Sequence, residues 1–179
     1  MAGILQYLAP FESTVVIALL GFAAWRDVLT RIIPDSVSIS LIALGLMARL
    51  AEGWDAVAVS MLVGVGVFLV LLPACSRGLM GGADLKLLAS LAVGLPPQTT
   101  LHLIAAVTIV GGGLAAVYLG LNRLVSARAA GRPPRMTATS LLARIATIEC
   151  WRIRRSAPLP YGIAIAIGAA IVVLNRQGV

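Results

Sequence analysis

The stretch GLMGGADLKLLAS, Gly78 to Ser90, decides how this chain is read. It follows a long apolar run. It crowds glycines at 78, 81 and 82, the Asp84 carboxylate and the Lys86 ammonium into a few residues, then leads into a short apolar segment that Pro96-Pro97 closes. From Asp84 to Leu95 is 12 residues. At about 1.5 Å per residue such a helix reaches roughly 18 Å, well short of a hydrocarbon layer about 30 Å thick. Either the helix begins earlier, in the glycines, or Asp84 lies below the lipid surface. Loops at that depth are tolerated only where protein or water lines them. The stretch therefore predicts a buried polar cleft around Asp84, since a carboxylate among apolar neighbours is costly and points to function.

The rest of the chain has the same apolar character. Of its 179 residues, 60% are hydrophobic and 12% charged, and the mean hydropathy is +1.00; a soluble domain carries roughly 25% charge. Runs at 56–72, 99–121 and 159–174 approach the length of a spanning helix, about 20 residues. The expected fold class is all-α: a polytopic membrane protein with about six transmembrane helices in a single domain, 1–179. The spans fall at 11–26, 35–50, 56–73, Asp84 to Leu95, 99–121 and 159–174. No basic region precedes the first apolar run, which argues against a cleaved signal peptide.

Between the spans, residues 1–10 read as a short amphipathic start ending at Pro10. Pro34 disfavours helix at Ile33, so 27–35 reads as a break, with Ser36 and Ser38 available to cap the restart. Residues 51–55 form a tight acidic turn and 74–83 a glycine loop. Gly64 and Gly66 allow close helix contact. Pro96-Pro97-Gln98 suits the first turn of the next helix. Residues 122–155 form a basic segment broken at 131–135. Beyond the break, Leu141, Leu142, Ile145, Ile148 and Trp151 recur at helical spacing. They fit an interfacial helix lying on anionic lipid, or equally a cytosolic helix packed on the core.

The formal net charge of +7 would suggest nucleic acid in a soluble protein. Here the basic residues sort by side instead, and no nucleic-acid partner is expected. Arg26 and Arg31 flank one loop, Arg77 and Lys86 a second, and eight arginines from Arg123 to Arg155 fill a third; Arg49 and Arg176 alone fall opposite. The positive-inside rule then places the three loops in the cytoplasm and both termini outside. Cys75 and Cys150 are far apart and His102 is the only histidine, so neither a metal site nor a cofactor is expected.

Asp27, in WRDVLTRIIPD (25–35), lies on the same side as Asp84. Two neighbouring carboxylates cannot both ionise cheaply, so they share a proton. One then takes a proton from water while the other gives one to the scissile group, as in aspartic proteases. Plainer roles are open beside this one. Asp84 suits a helix cap and Lys86 a snorkelling interface residue. Asp27 can pair with Arg31. Asp35 competes with Asp27 for the cleft, or caps the second span. The serines on that side, Ser36, Ser76 and Ser90, have no histidine near them, and no phosphate-loop pattern is present. A transporter would place its polar groups nearer the midplane.

Three motifs resemble those of the type IV prepilin peptidases, which are membrane aspartic proteases, most closely the short TadV/CpaA-like form of tight-adherence (Flp) pilus systems. The first is Asp27, with Arg31 and the Ile33-Pro34-Asp35 that follows. The second is Gly81-Gly82-Ala83-Asp84-Leu85-Lys86, similar to Gly-x-Gly-Asp-x-Lys but with alanine for the second glycine. The third is Pro160-Tyr161-Gly162, opening the last span. Asp35 stands where an asparagine-like residue is usual. The resemblance implies that Asp27 and Asp84 are catalytic, with Gly81, Gly82, Ala83, Lys86, Arg31, Pro34 and Asp35 around them. It implies leader removal from a prepilin or pseudopilin at the cytoplasmic face of the inner membrane. It also implies no N-methylation, which in longer members goes with two Cys-x-x-Cys pairs. The alternative is an inactive membrane scaffold of a pilus or secretion assembly, to which Ala83 lends support.

Overall fold

The computed structural model describes residues 2–128 and 161–177. Among them the ordered elements are six helices: α1 Ala2–Thr30, α2 Asp35–Glu52, α3 Trp54–Ser76, α4 Gly82–Val93, α5 Pro97–Arg128 and α6 Tyr161–Gln177. They fall into two compact units, one of Met1–Val110 with Pro160–Val179, the other Gly111–Leu159. The first unit holds the core and every residue discussed below. The described part of the second is the C-terminal stretch of α5. The amphipathic helix expected at 137–151 lies outside the described residues.

Three helices are long and apolar enough to cross a membrane: Glu12–Thr30, Trp54–Ser76 and Pro97–Leu121, with hydropathies of 1.4, 2.5 and 2.0. The protein is accordingly membrane-integral. The six expected spans have six helices to match, but only these three meet the length and composition of a crossing. The 18 residues of α2 include Asp35, Arg49 and Glu52. α4 has 12 residues, and the apolar part of α6 is the shorter Tyr161–Asn175.

Several boundaries differ from expectation. α1 runs on through Pro10 and ends at Thr30. A proline removes one rung of the ladder, whereas a full stop would strand several backbone groups that apolar surroundings cannot satisfy. The break is therefore Arg31–Pro34, and Asp27 lies in the last turn of α1. α2 takes Pro34 as its N-cap, with ψ 138° and no side-chain cap; neither Ser36 nor Ser38 performs that task. The acidic turn contracts to Gly53, whose φ of 122° suits glycine and few other residues. α3 takes in Pro73 and reaches Ser76, so the glycine loop shrinks to 77–81. α4 opens at Gly82, and the following helix starts at Pro97, in the first turn where proline is tolerated.

α4 is the centre of the first unit. It packs on α2, α3 and α6, and seven of its 12 residues are buried, so most of its surface meets protein. That is why so short a helix fits here. Where lipid is the alternative to burial, packing depends on close backbone approach. A Cβ on Gly45 of α2 would lie 2.5 Å from the Gly94 Cα at the end of α4. Gly64 of α3 sits as tightly against Ala89 and Val93. Gly66 faces open space, so of the two glycines in that pair one makes the contact.

Candidate active site

Helical periodicity explains why two carboxylates are drawn inward. In α1, Val16, Leu20, Ala23 and Asp27 follow one another at spacings of four, three and four, one face of a helix. Leu20 and Ala23 belong to the core, Val16 packs against it, and Asp27, last on the stripe, is 7% exposed. In α4, Asp84 precedes Leu87, Leu88 and Leu91 at the same spacing. These three leucines are core residues, while Asp84 at the helix start is half-buried. Each aspartate thus ends the apolar stripe of its own helix.

Each also rests on a glycine backbone. The Gly162 N–H, at the start of α6, donates to Asp27 Oδ2 at 2.9 Å within the protein interior. The Gly81 N–H donates to the Asp84 carboxylate. Gly81 is the N-cap of α4 and Asp84 its third helical residue, so this is the returning half of a capping box. The plainer reading of Asp84 as a cap therefore describes a contact it makes, and a carboxylate holding one N–H keeps lone pairs for other work. Asp27 and Asp84 are close enough for their charges to act on each other, and the Arg31 guanidinium also acts on Asp84. The end of α1, the start of α4 and the start of α6 converge on this spot.

Arg31 is the non-glycine residue with positive φ among those described, at 57°. It terminates α1, its N–H bonded to the Asp27 carbonyl at 3.0 Å. The Thr30 hydroxyl donates to the Arg26 carbonyl at 2.9 Å. A left-handed arginine costs about 1–2 kcal/mol, and such strain gathers at functional sites.

The remaining motif residues are placed as follows. Lys86 Nζ bonds both Asp35 oxygens, at 2.9 and 3.1 Å, in an exposed pair tying α4 to α2. Lys86 thus meets Asp35 rather than either carboxylate of the Asp27–Asp84 pair. Asp35 lies in the first turn of α2, where a negative charge suits the helix dipole, and it does not cap by its side chain. Pro34 closes the break before it. Gly82 opens α4 with no crowding: a Cβ there would meet Cys75 Sγ at 3.9 Å and nothing closer. Ala83 packs against the core cluster. Its methyl therefore occupies a helical position, and the glycine that the turn's backbone requires is Gly78, at φ 73°.

Two features are not evident from the sequence. The first is the bond from Gly162, whose motif was visible but whose partner was not. The second is Arg49, which in the sequence is only a charge on the less basic side. It is 5% exposed, donates through Nε to the buried Ser60 hydroxyl at 2.8 Å and pairs with Glu52. The available signal was its spacing: Leu41, Gly45 and Arg49 share the buried face of α2.

The profile of the type IV leader peptidase family matches residues 14–116, more than half of the chain. The matched segment contains Asp27, Arg31, Gly81, Asp84 and Lys86 and stops short of α6. No protein of curated function and no solved structure matches the chain. The two acids and the glycine turn all fall inside that span, and on its extent the chain belongs to the type IV leader peptidase family.

Proposed function

We propose that this protein is an aspartic endopeptidase that removes the short basic leader of type IV, Flp-like prepilins or pseudopilins. It works at the cytoplasmic face of the bacterial inner membrane, as a six-span protein with both termini periplasmic. One observation carries the reading: Asp27 and Asp84, from helices remote in sequence, lie close enough for their charges to interact, and each is seated on a glycine N–H.

In the reaction, one carboxylate takes a proton from a water whose oxygen bonds to the scissile carbonyl carbon. The other, carrying the shared proton, stabilises the oxygen of the tetrahedral intermediate. The C–N bond then breaks as the leaving amine takes a proton, and the pair returns to one shared proton. The chain's own residues suffice for each step. An apolar cleft lined by Leu71, Leu79, Met80, Ile104, Val107 and Tyr161 adjoins Gly81 and Gly162 in sequence, and it suits the apolar helix that follows a prepilin leader. Cleavage proceeds without methyl transfer.

Co-expression with a Flp-type prepilin tests the proposal. The pilin should lose the mass of its leader only when this protein is present, and its new N-terminus should stay unmethylated. An uncut pilin, with the protein present in the membrane, would favour the scaffold reading. Lys86→Met and Asp35→Asn probe the outer pair. Exposed ion pairs contribute about 0–1 kcal/mol, so each variant should cleave within about threefold of wild type. A tenfold loss in Lys86→Met at normal protein level would give the lysine a direct role on substrate.

A further inference from the structure

The glycine contacts of the two acids are alike in one respect. A Cβ on Gly81 would lie 2.8 Å from Asp84 Oδ2. A Cβ on Gly162 would lie 2.8 Å from Asp27 Oδ2, 3.0 Å from its Cβ and 3.1 Å from its Cγ. Real side chains almost never approach so closely. Gly162 is moreover the second residue of α6, where a helix leaves N–H groups without partners, and the group that satisfies this one is a carboxylate from another helix. Asp27 has little room to retreat. It is 7% exposed, one turn beyond Ala23, which is 0% exposed.

We infer that Gly162 is a positioning residue for the reaction, holding the Asp27 carboxylate in its reactive orientation through its N–H and through its lack of a side chain. The inference rests on the peptidase reading above. With Oδ2 tied to the α6 backbone, the carboxylate plane is fixed and Oδ1 is left to take the water. The α6 segment, which lies beyond the family match, thereby becomes part of the catalytic apparatus by seating one acid. The glycine turn at 81 seats the other.

A matched pair of variants tests this. Gly162→Ala puts a methyl against Asp27. Gly168→Ala, on the same helix, puts one equally close, 2.8 Å, to the Val107 backbone N and Cγ2, away from the acids, at a wall of the apolar cleft where an effect on substrate binding would fall on KM. A displacement of about 1 Å at a reacting group costs roughly 10²-fold in rate. Gly162→Ala should therefore lower kcat about 100-fold per folded molecule with KM within about threefold of wild type, while Gly168→Ala keeps kcat. Wild-type kcat in Gly162→Ala, a change confined to KM, or an equal loss in Gly168→Ala would each overturn the inference. The first result would leave the peptidase reading standing. Absence of cleavage by the wild-type protein would overturn that reading and this one with it. If Gly162→Ala does not accumulate, the Gly162 amide proton of the wild-type protein, labelled with ¹⁵N-glycine, serves instead. It should resonate downfield and move upfield in Asp27→Ala; an unmoved signal would overturn the inference.

Discussion

Asp27→Asn and Asp84→Asn should each abolish leader removal while leaving the protein folded in the membrane. Asparagine is the informative replacement because it separates chemistry from capping. An amide oxygen can still accept the Gly81 N–H at position 84 and the Gly162 N–H at position 27, the two contacts made by the native carboxylates. What is lost structurally is the extra strength of a charge-assisted bond, on the order of 1 kcal/mol. What is lost chemically is the ability to take or give a proton, worth about 10²–10⁴-fold for one general acid or base. On the proposed mechanism the two acids share a single proton, so removing either disables both roles, and the double variant should be no worse than either single one. The measurement is the rate of leader loss from a co-expressed prepilin, divided by the amount of folded enzyme in the membrane. If either single variant processes the pilin at near the wild-type rate, Asp84 is a helix cap and Asp27 a seat for α6, and the catalytic reading fails.

The acids were legible in the sequence for a physical reason. Asp27 and Asp84 each end the apolar stripe of a helix, and a carboxylate among apolar neighbours is costly. The shortness of the segment after Asp84 was legible too, and α4 keeps its 12 residues. Its explanation was not. Sequence periodicity gives the face a helix turns inward but not its neighbours, so the enclosure of α4 by α2, α3 and α6 had to come from the structure. The same gap hid the Gly162 bond, which joins residues 135 positions apart. Helix ends depart from expectation where a proline suggests a stop. Pro10 and Pro73 both lie inside helices, while the break at Arg31–Pro34 has a left-handed residue as well as a proline. Lys86 meets Asp35 rather than Asp27 or Asp84, because α2 restarts with its first carboxylate beside the start of α4.

The other large expected effect is on stability, at the far end of α2. Glu52→Gln should destabilise the protein by about 2–3 kcal/mol, far more than Asp35→Asn, although each removes from α2 the carboxylate of one ion pair. The difference lies in the partner. Lys86 is half-exposed beside Asp35 and can turn to water, so that pair is worth about 0–1 kcal/mol. The Arg49 side chain is 6% exposed, and without Glu52 its guanidinium keeps the Ser60 hydroxyl but loses a countercharge. Breaking a buried ion pair costs about 3–5 kcal/mol; Glu52 is 47% exposed, and solvent screening brings the figure below that range. Arg49→Met with Ser60→Ala should recover much of the loss, since it removes the buried charge and its hydroxyl partner together while Glu52 still reaches solvent. Unfolding in detergent, followed by loss of helical signal against denaturant, measures all three. Position 49 lies about 21 Å along α2 from Asp35, so cleavage per folded molecule should be unchanged in Glu52→Gln and in the Arg49→Met, Ser60→Ala variant. A fall in specific activity for Glu52→Gln matching that of Asp84→Asn would instead place part of the reaction at this end of α2, and the assignment of chemistry to the glycine-seated acids would have to be redrawn.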